Sequence, residues 1–208
     1  MPLFKTLHPN SQTCVKIWHI QETYESLNKD VILRVKSKAR LDGMKSEVHQ
    51  RGFLSVRHLL ASFGYTDHDL FYDEFGKPHL KDGKHISITH SFEYSGMIIS
   101  DQPVGIDIEK QRNKISLIAK KFIDYEFQYL DNQDDYIRKL TVIWCIKESL
   151  YKLFATPGLS FKKHTLVLPF ALENESTKSW IDYRKSKNRF HADYLEFNGF
   201  TCAYTLKG

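Results

Sequence analysis

The clearest hydrophobic rhythm in the chain is Val104-Gly105-Ile106-Asp107-Ile108-Glu109, which alternates with the period of two of a half-buried β-strand. Val104, Ile106 and Ile108 fall on one face, and Gly105, Asp107 and Glu109 on the other. Further strands are predicted at residues 14–20 (CVKIWHI), His85 to His90, Tyr94 to Ser100, His164 to Pro169, Trp180 to Tyr183, Phe190 to Leu195 and Thr201 to Leu206. A helical, increasingly basic pattern runs from about Glu22 to Lys38. Val48, Gly52, Val56, Leu59, Leu60 and Phe63 form the apolar stripe of a second helix, with Ser46 as its cap and Gly64 at its end. Arg51 lies at the edge of that stripe.

Beyond the acidic strand, Asn113 or Ser116 opens a helix through Phe122, and Asp124 caps a short one with Glu126, Phe127 and Leu130. The polar loop Asp131 to Asp135 precedes the strongest helix, whose stripe is Tyr136, Leu140, Ile143, Leu150 and Phe154 and which Pro157-Gly158 stops. Turns are predicted at Phe75-Gly76-Lys77-Pro78, Asp82-Gly83 and Asp101-Gln102-Pro103. The centre of the chain thus reads as a β-meander ending in the strand with Asp107 and Glu109. Both halves run strand or loop, helices, then strands, with a join near residue 101. The expected fold is α+β: two similar halves, 1–100 and 101–208, each a small, mostly antiparallel sheet packed with helices.

Composition narrows the class without naming a function. The 208 residues are 41% hydrophobic, as in an ordinary globular protein. Cys14, Cys145 and Cys202 form neither a disulfide framework nor a CxxC site, which suits a reducing cytoplasm. Residues Met1 to Gln12 lack an apolar signal core, and no run approaches a membrane helix in length, so a soluble intracellular protein is expected. The net charge is +5 and uneven: Lys29 to Arg57 holds eight Lys or Arg against Asp30, Asp42 and Glu47. Such a face attracts phosphates or an acidic protein, although a solvated helix surface is its commoner meaning.

Candidate chemistry lies in two places. Asp107 and Glu109, at i and i+2 on one strand face, are roughly 7 Å apart by strand rise, and a hard cation such as Mg²⁺ would relieve their repulsion. An exposed edge with two acids is the equally ordinary alternative. On the strong helix, Glu148 and Lys152 share a face at i, i+4, where a surface ion pair is the plain reading. Lys147 falls in the apolar stripe and must snorkel or meet a carboxylate, for which Glu126 is the candidate.

Taken in order, Gly-Lys-Pro at 76–78, Ile-Thr-His-Ser at 88–91, Val-Gly-Ile-Asp-Ile-Glu at 104–109 and Trp-Cys-Ile-Lys-Glu-Ser-Leu-Tyr-Lys at 144–152 resemble the surfactin-synthetase-activating type of 4′-phosphopantetheinyl transferase. The resemblance runs from about Lys38 to Ser160, and the last two motifs carry its specificity. It implies a monomer of two fused halves, with coenzyme A held by the first, the metal by the second and the active site at their interface. The reaction implied moves phosphopantetheine from coenzyme A to a serine of an apo acyl or peptidyl carrier protein, releasing adenosine 3′,5′-bisphosphate. Asp107, Glu109 and Glu148 match the Mg²⁺ ligands, with Mn²⁺ an alternative at an oxygen site. Glu148 also matches the proposed base, direct or through water, and Lys152 a lysine that stabilises phosphate charge. Arg51 and His90 match positions that grip the 3′-phosphate, and Lys77 the remaining phosphates. Lys38 is a further phosphate candidate, Trp144 a packing residue behind Glu148, and Cys145 stands where Ser or Thr is frequent. An acidic carrier would suit a basic, partly apolar surface, for which Leu117, Ile118 and Phe122 are candidates, core packing being their other use.

Two rivals share the same residues. A Mg²⁺-dependent nuclease also combines acids with a basic face, but here Lys110 directly follows Glu109 and the other Glu and Lys are on a helix. A nucleic-acid-binding module explains the charge and leaves three acids idle. No GxxxxGK[ST] loop exists for an ATP-using enzyme. No nucleic-acid or membrane partner is expected.

Overall fold

The computed structural model describes residues 3–130 and 135–207. All of the Asp131 to Asp135 loop except Asp135 lies outside them. The fold is α+β, and the chain divides into two compact units, Met1–Asp101 and Gln102–Gly208.

In the first unit the strands are β1 (Leu3–Asn10), β2 (Thr13–His19), β5 (His85–Ser91) and β6 (Tyr94–Ser100). They form an antiparallel sheet in the order β1-β2-β6-β5. Strand β1 was not legible in the sequence, because as an edge strand it buries little and shows no sustained alternation. The single helix expected over 22–38 is two short ones, α1 (Tyr24–Lys29) and α2 (Val35–Asp42). Asp67 parts them: it accepts hydrogen bonds from the backbone N–H of Arg34 (2.9 Å) and the Nε–H of Arg57 (3.1 Å), and Arg34 is left extended. Helix α3 (Glu47–Ser62) starts after Ser46, whose side chain makes no capping bond, and stops before Gly64 at φ +87°. Its Leu54, Leu59 and Leu60 join Ile20, Leu27, Leu41 and Met97 in the core of this unit. Strands β3 (Leu70–Tyr72) and β4 (Pro78–Leu80) make a hairpin tipped by Phe75-Gly76-Lys77.

The basic face shrinks on inspection. Arg57 is buried, paired with Asp67 and packed 3.6 Å from the centroid of the Phe53 ring. Lys38 is engaged with Asp42 at 2.7 Å.

In the second unit β7 (Val104–Lys110), β8 (Thr165–Val167), β9 (Ser176–Tyr183), β10 (Ser186–Phe197) and β11 (Phe200–Lys207) form an antiparallel sheet in the order β7-β11-β10-β9-β8. The meander reading therefore fails at its last step: β7 pairs with β11, almost a hundred residues later, and not with β6. Helices α4 (Lys114–Phe122), α5 (Tyr136–Phe154) and the single turn α6 (Phe161–His164) complete the unit with a 3₁₀ turn, Tyr125–Gln128. Ala155, left-handed at φ 46°, ends α5 two residues before Pro157. Leu140, Ile143, Ile146 and Leu150 of α5 are buried with Phe122, Val167, Ile181 and Ala192.

Candidate functional site

The second unit brings Asp107, Glu148 and Lys152 together through a close approach of α5 to β7. At Gly105 the strand touches the helix backbone: a Cβ there would stand 1.8 Å from the Ser149 carbonyl oxygen and 3.1 Å from the Leu153 nitrogen. Asp107 is one strand period on, and so shares the face of Gly105 that meets α5. It is 5% exposed, so the half-buried strand of the sequence reading is covered on both faces as far as Ile108.

Lys152 does not pair with Glu148 in the surface bridge that i, i+4 spacing offered. Its Nζ donates to Asp107 Oδ1 at 2.7 Å and to the Ile106 carbonyl at 3.0 Å. Burial alone would lower the pKa of this ammonium; Asp107, and then Glu148, hold it above the ordinary lysine value. Glu148 is pushed up to about 7, first by burial and then by the Asp107 carboxylate, with Glu109 adding to the rise and Lys152 opposing it. Glu109 thus acts on the same electrostatic field although it sits further along β7, half buried.

The oxygen chemistry of Asp107, Glu109 and Glu148 is the kind a hard divalent cation prefers. A cation beside these carboxylates would favour the ionised form of Glu148, which burial and then the Asp107 carboxylate push the other way. Among the described residues, however, no three His, Cys, Asp or Glu side chains are grouped so that they could hold a metal ion.

Behind Glu148, Trp144 packs edge-on against Phe122 and Phe161, at ring-centroid distances of 5.0 and 5.6 Å, the packing role expected of it. Cys145 is buried, and burial pushes its thiol well above the ordinary range, which disfavours a nucleophilic thiolate. Lys147 meets Glu126 at 2.7 Å, both side chains fully buried. Its Nζ also lies 2.8 Å from Phe122 O, 3.0 Å from Thr165 O and 3.2 Å from Phe161 O. The residue that looked misplaced in an apolar stripe is a fully bonded tie between α5, the 3₁₀ turn and β8.

In the first unit the structure sets the His90 ring against Gly52, the residue after Arg51. Arg51 donates from Nη2 to Ile20 O at 3.1 Å and lines a pocket of about 160 Å³ with Ile20, Val48, Phe92 and Glu93. The exposed His90 ring lies against Gly52, next in sequence to Arg51. Lys77 is on the β3–β4 hairpin, half buried, its backbone N–H bonded to Asp73 Oδ1 at 2.9 Å. Burial lowers its pKa, opposed by Asp73. The sequence reading passed over Gly52 and Gly105 as sites of close approach; the signal available was a glycine inside a helical and a strand pattern.

Leu117 is 81% exposed, Ile118 half buried and Phe122 buried, so only the first of the three apolar surface candidates is fully on the surface. Among the described residues no helix is long and apolar enough to cross a membrane.

Comparison with known proteins bears on this unit above all. The family model of the 4′-phosphopantetheinyl transferase superfamily matches residues 103–205. A 4′-phosphopantetheinyl transferase of Bacillus subtilis is 28% identical over 157 residues, which is 72% of this chain and 59% of that protein. The 4′-phosphopantetheinyl transferase gsp of Aneurinibacillus migulanus is 36% identical over 136 residues, 63% of this chain and 55% of that one. The 4′-phosphopantetheinyl transferase Sfp of Bacillus subtilis strain 168 is 29% identical over 151 residues, 68% and 56% respectively. The match thus spans a little over half the length of each relative. Residues 103–205, which carry Asp107, Glu109, Glu148 and Lys152, are thus the part of the chain that is similar to the 4′-phosphopantetheinyl transferase superfamily.

Proposed function

We propose that the protein transfers 4′-phosphopantetheine from coenzyme A to a serine hydroxyl of an apo acyl or peptidyl carrier protein, releasing adenosine 3′,5′-bisphosphate. The observation that carries this reading is the meeting of Asp107, Glu148 and Lys152 across β7 and α5, inside the segment that matches the family. Asp107, Glu109 and Glu148 would hold Mg²⁺, or Mn²⁺ in its place. When bound, the metal supplies charge neutralisation for the pyrophosphate of coenzyme A.

The remaining work falls to the chain. Glu148 accepts the serine proton, directly or through a water, as the hydroxyl oxygen attacks the pantetheine-side phosphorus. The phosphoanhydride bond breaks and its electrons leave on the bisphosphate. Lys152, kept cationic by Asp107, faces the charge that develops there. Arg51 and His90 hold the 3′-phosphate, and Lys77 takes a further phosphate of the donor. The three cysteines are free thiols, in keeping with a reducing cytoplasm.

The test is the intact mass of an apo carrier protein after incubation with this protein, coenzyme A and Mg²⁺. A gain of one phosphopantetheine, lost with a serine-less carrier or with EDTA, is expected. Asp107→Ala and Glu148→Ala should each abolish the gain while the protein remains folded by circular dichroism; normal turnover by either removes it from the metal site. Absence of any gain with several carriers, together with no calorimetric binding of coenzyme A and clear affinity for DNA or RNA, would give the site to a nuclease. Arg51→Ala should raise KM for coenzyme A more than for dephospho-coenzyme A, and equal effects would take Arg51 off the 3′-phosphate.

A further inference from the structure

Helix α3 carries a glycine at its sixth position of sixteen, far from either end. Glycine in a helix interior costs about 0.8–1.0 kcal/mol relative to alanine, so a buried one there calls for a compensating contact. The contact is the ring of His90. A Cβ on Gly52 would stand 3.3 Å from His90 Cγ and 3.5 Å from both Cδ2 and Nδ1. The first of these is tighter than the roughly 3.5–4.0 Å at which carbon atoms rest against each other. The ring would have to yield by a few tenths of an ångström.

The surroundings hold both partners in place. His90 stands opposite Ser95 in the β5–β6 register. The buried Ser55 hydroxyl lies 2.8 Å from Gly52 O and 2.9 Å from Ser95 Oγ, tying α3 to β6 one turn from Gly52. His49, one turn the other way, has its ring centroid 6.3 Å from that of His90. Arg51 is braced by Ile20 O. The β5 imidazole thus lies against the α3 position that follows Arg51, whose guanidinium is bonded to Ile20 O, and preorganisation of this kind reduces the ordering cost of binding.

We propose that Gly52 is a positioning residue of the phosphate site: lacking a Cβ, it lets the His90 imidazole lie on α3 beside Arg51, so that the pair engages the 3′-phosphate of coenzyme A. The inference rests on the coenzyme A reading above and adds to it the residue that sets the geometry.

The test compares wild type, Gly52→Ala, His90→Ala and the double variant. Binding of coenzyme A and of dephospho-coenzyme A is measured by calorimetry, and the His90 ring resonances of the free protein by NMR. Gly52→Ala should weaken coenzyme A binding about three- to tenfold and leave dephospho-coenzyme A unchanged, as a small displacement of one binding group would. The His90 resonances should shift without loss of thermal stability, since alanine favours the helix. In the His90→Ala background Gly52→Ala should add no further loss, the mark of a residue acting through another. Wild-type selectivity with unmoved His90 resonances, or a loss undiminished in that background, overturns the positioning role. A wild-type protein that binds neither nucleotide overturns the coenzyme A reading itself, and with it the ligand named here.

Discussion

Gly105→Ala is expected to cost more than the roughly 1–3 kcal/mol that overpacking a core usually costs. The reason is what the added methyl would strike. Its carbon would sit 1.8 Å from the Ser149 carbonyl oxygen and 2.7 Å from the carbonyl carbon, both in the C-terminal half of α5. Neither atom can rotate away like a side-chain end, so either β7 or α5 must move. Strand β7 is bonded along its whole length to β11, and α5 is held by a buried ion pair and the apolar core. Against a typical total stability of about 5–15 kcal/mol, this is enough to shift the urea midpoint far down or to prevent folding. If the variant folds, the strand and helix must stand further apart, and Lys152 should lose its hold on Asp107. An unchanged urea midpoint would show that the close approach does not exist in solution.

Lys147→Met should be the second large effect, about 3–5 kcal/mol, because it leaves the Glu126 carboxylate buried without its cation. Glu126 keeps hydrogen bonds from the Val167 and Asp124 N–H groups, at 2.9 and 3.2 Å, but these do not replace a full positive charge. The carbonyls of Phe122, Thr165 and Phe161 lose their donor as well. Adding Glu126→Gln to Lys147→Met should recover part of the loss by removing the unpaired charge. Chemical denaturation of the three variants provides the cycle. A double variant no more stable than Lys147→Met alone would mean that the carbonyl contacts, and not the ion pair, dominate.

Both effects concern contacts between elements, and this is where the sequence was hardest to read. The periods of two and 3.6 located β2, β5, β6, β7 and α5 to within a few residues, since each has a buried face that the alternation must serve. The pairing of Glu126 with Lys147 was also legible, because a lysine in an apolar stripe demands a carboxylate whatever the fold. The break between α1 and α2 was not, since it depends on Asp67, more than thirty residues away, binding Arg34. Arg57, counted in the sequence as surface charge, is withdrawn into the core by the same aspartate.

The α+β class, the acidic strand, the helix that carries Glu148 and Lys152, and the motifs that liken them to a family were all legible in the order of residues. That β7 pairs with β11 rather than β6, and that Lys152 turns to Asp107 rather than Glu148, came from the packing of distant segments. The cause is common to both: local periodicity says which face of an element must be covered, but not by what. Which partner covers it depends on how near two backbones can come, and Gly105 allows β7 to reach the backbone of α5.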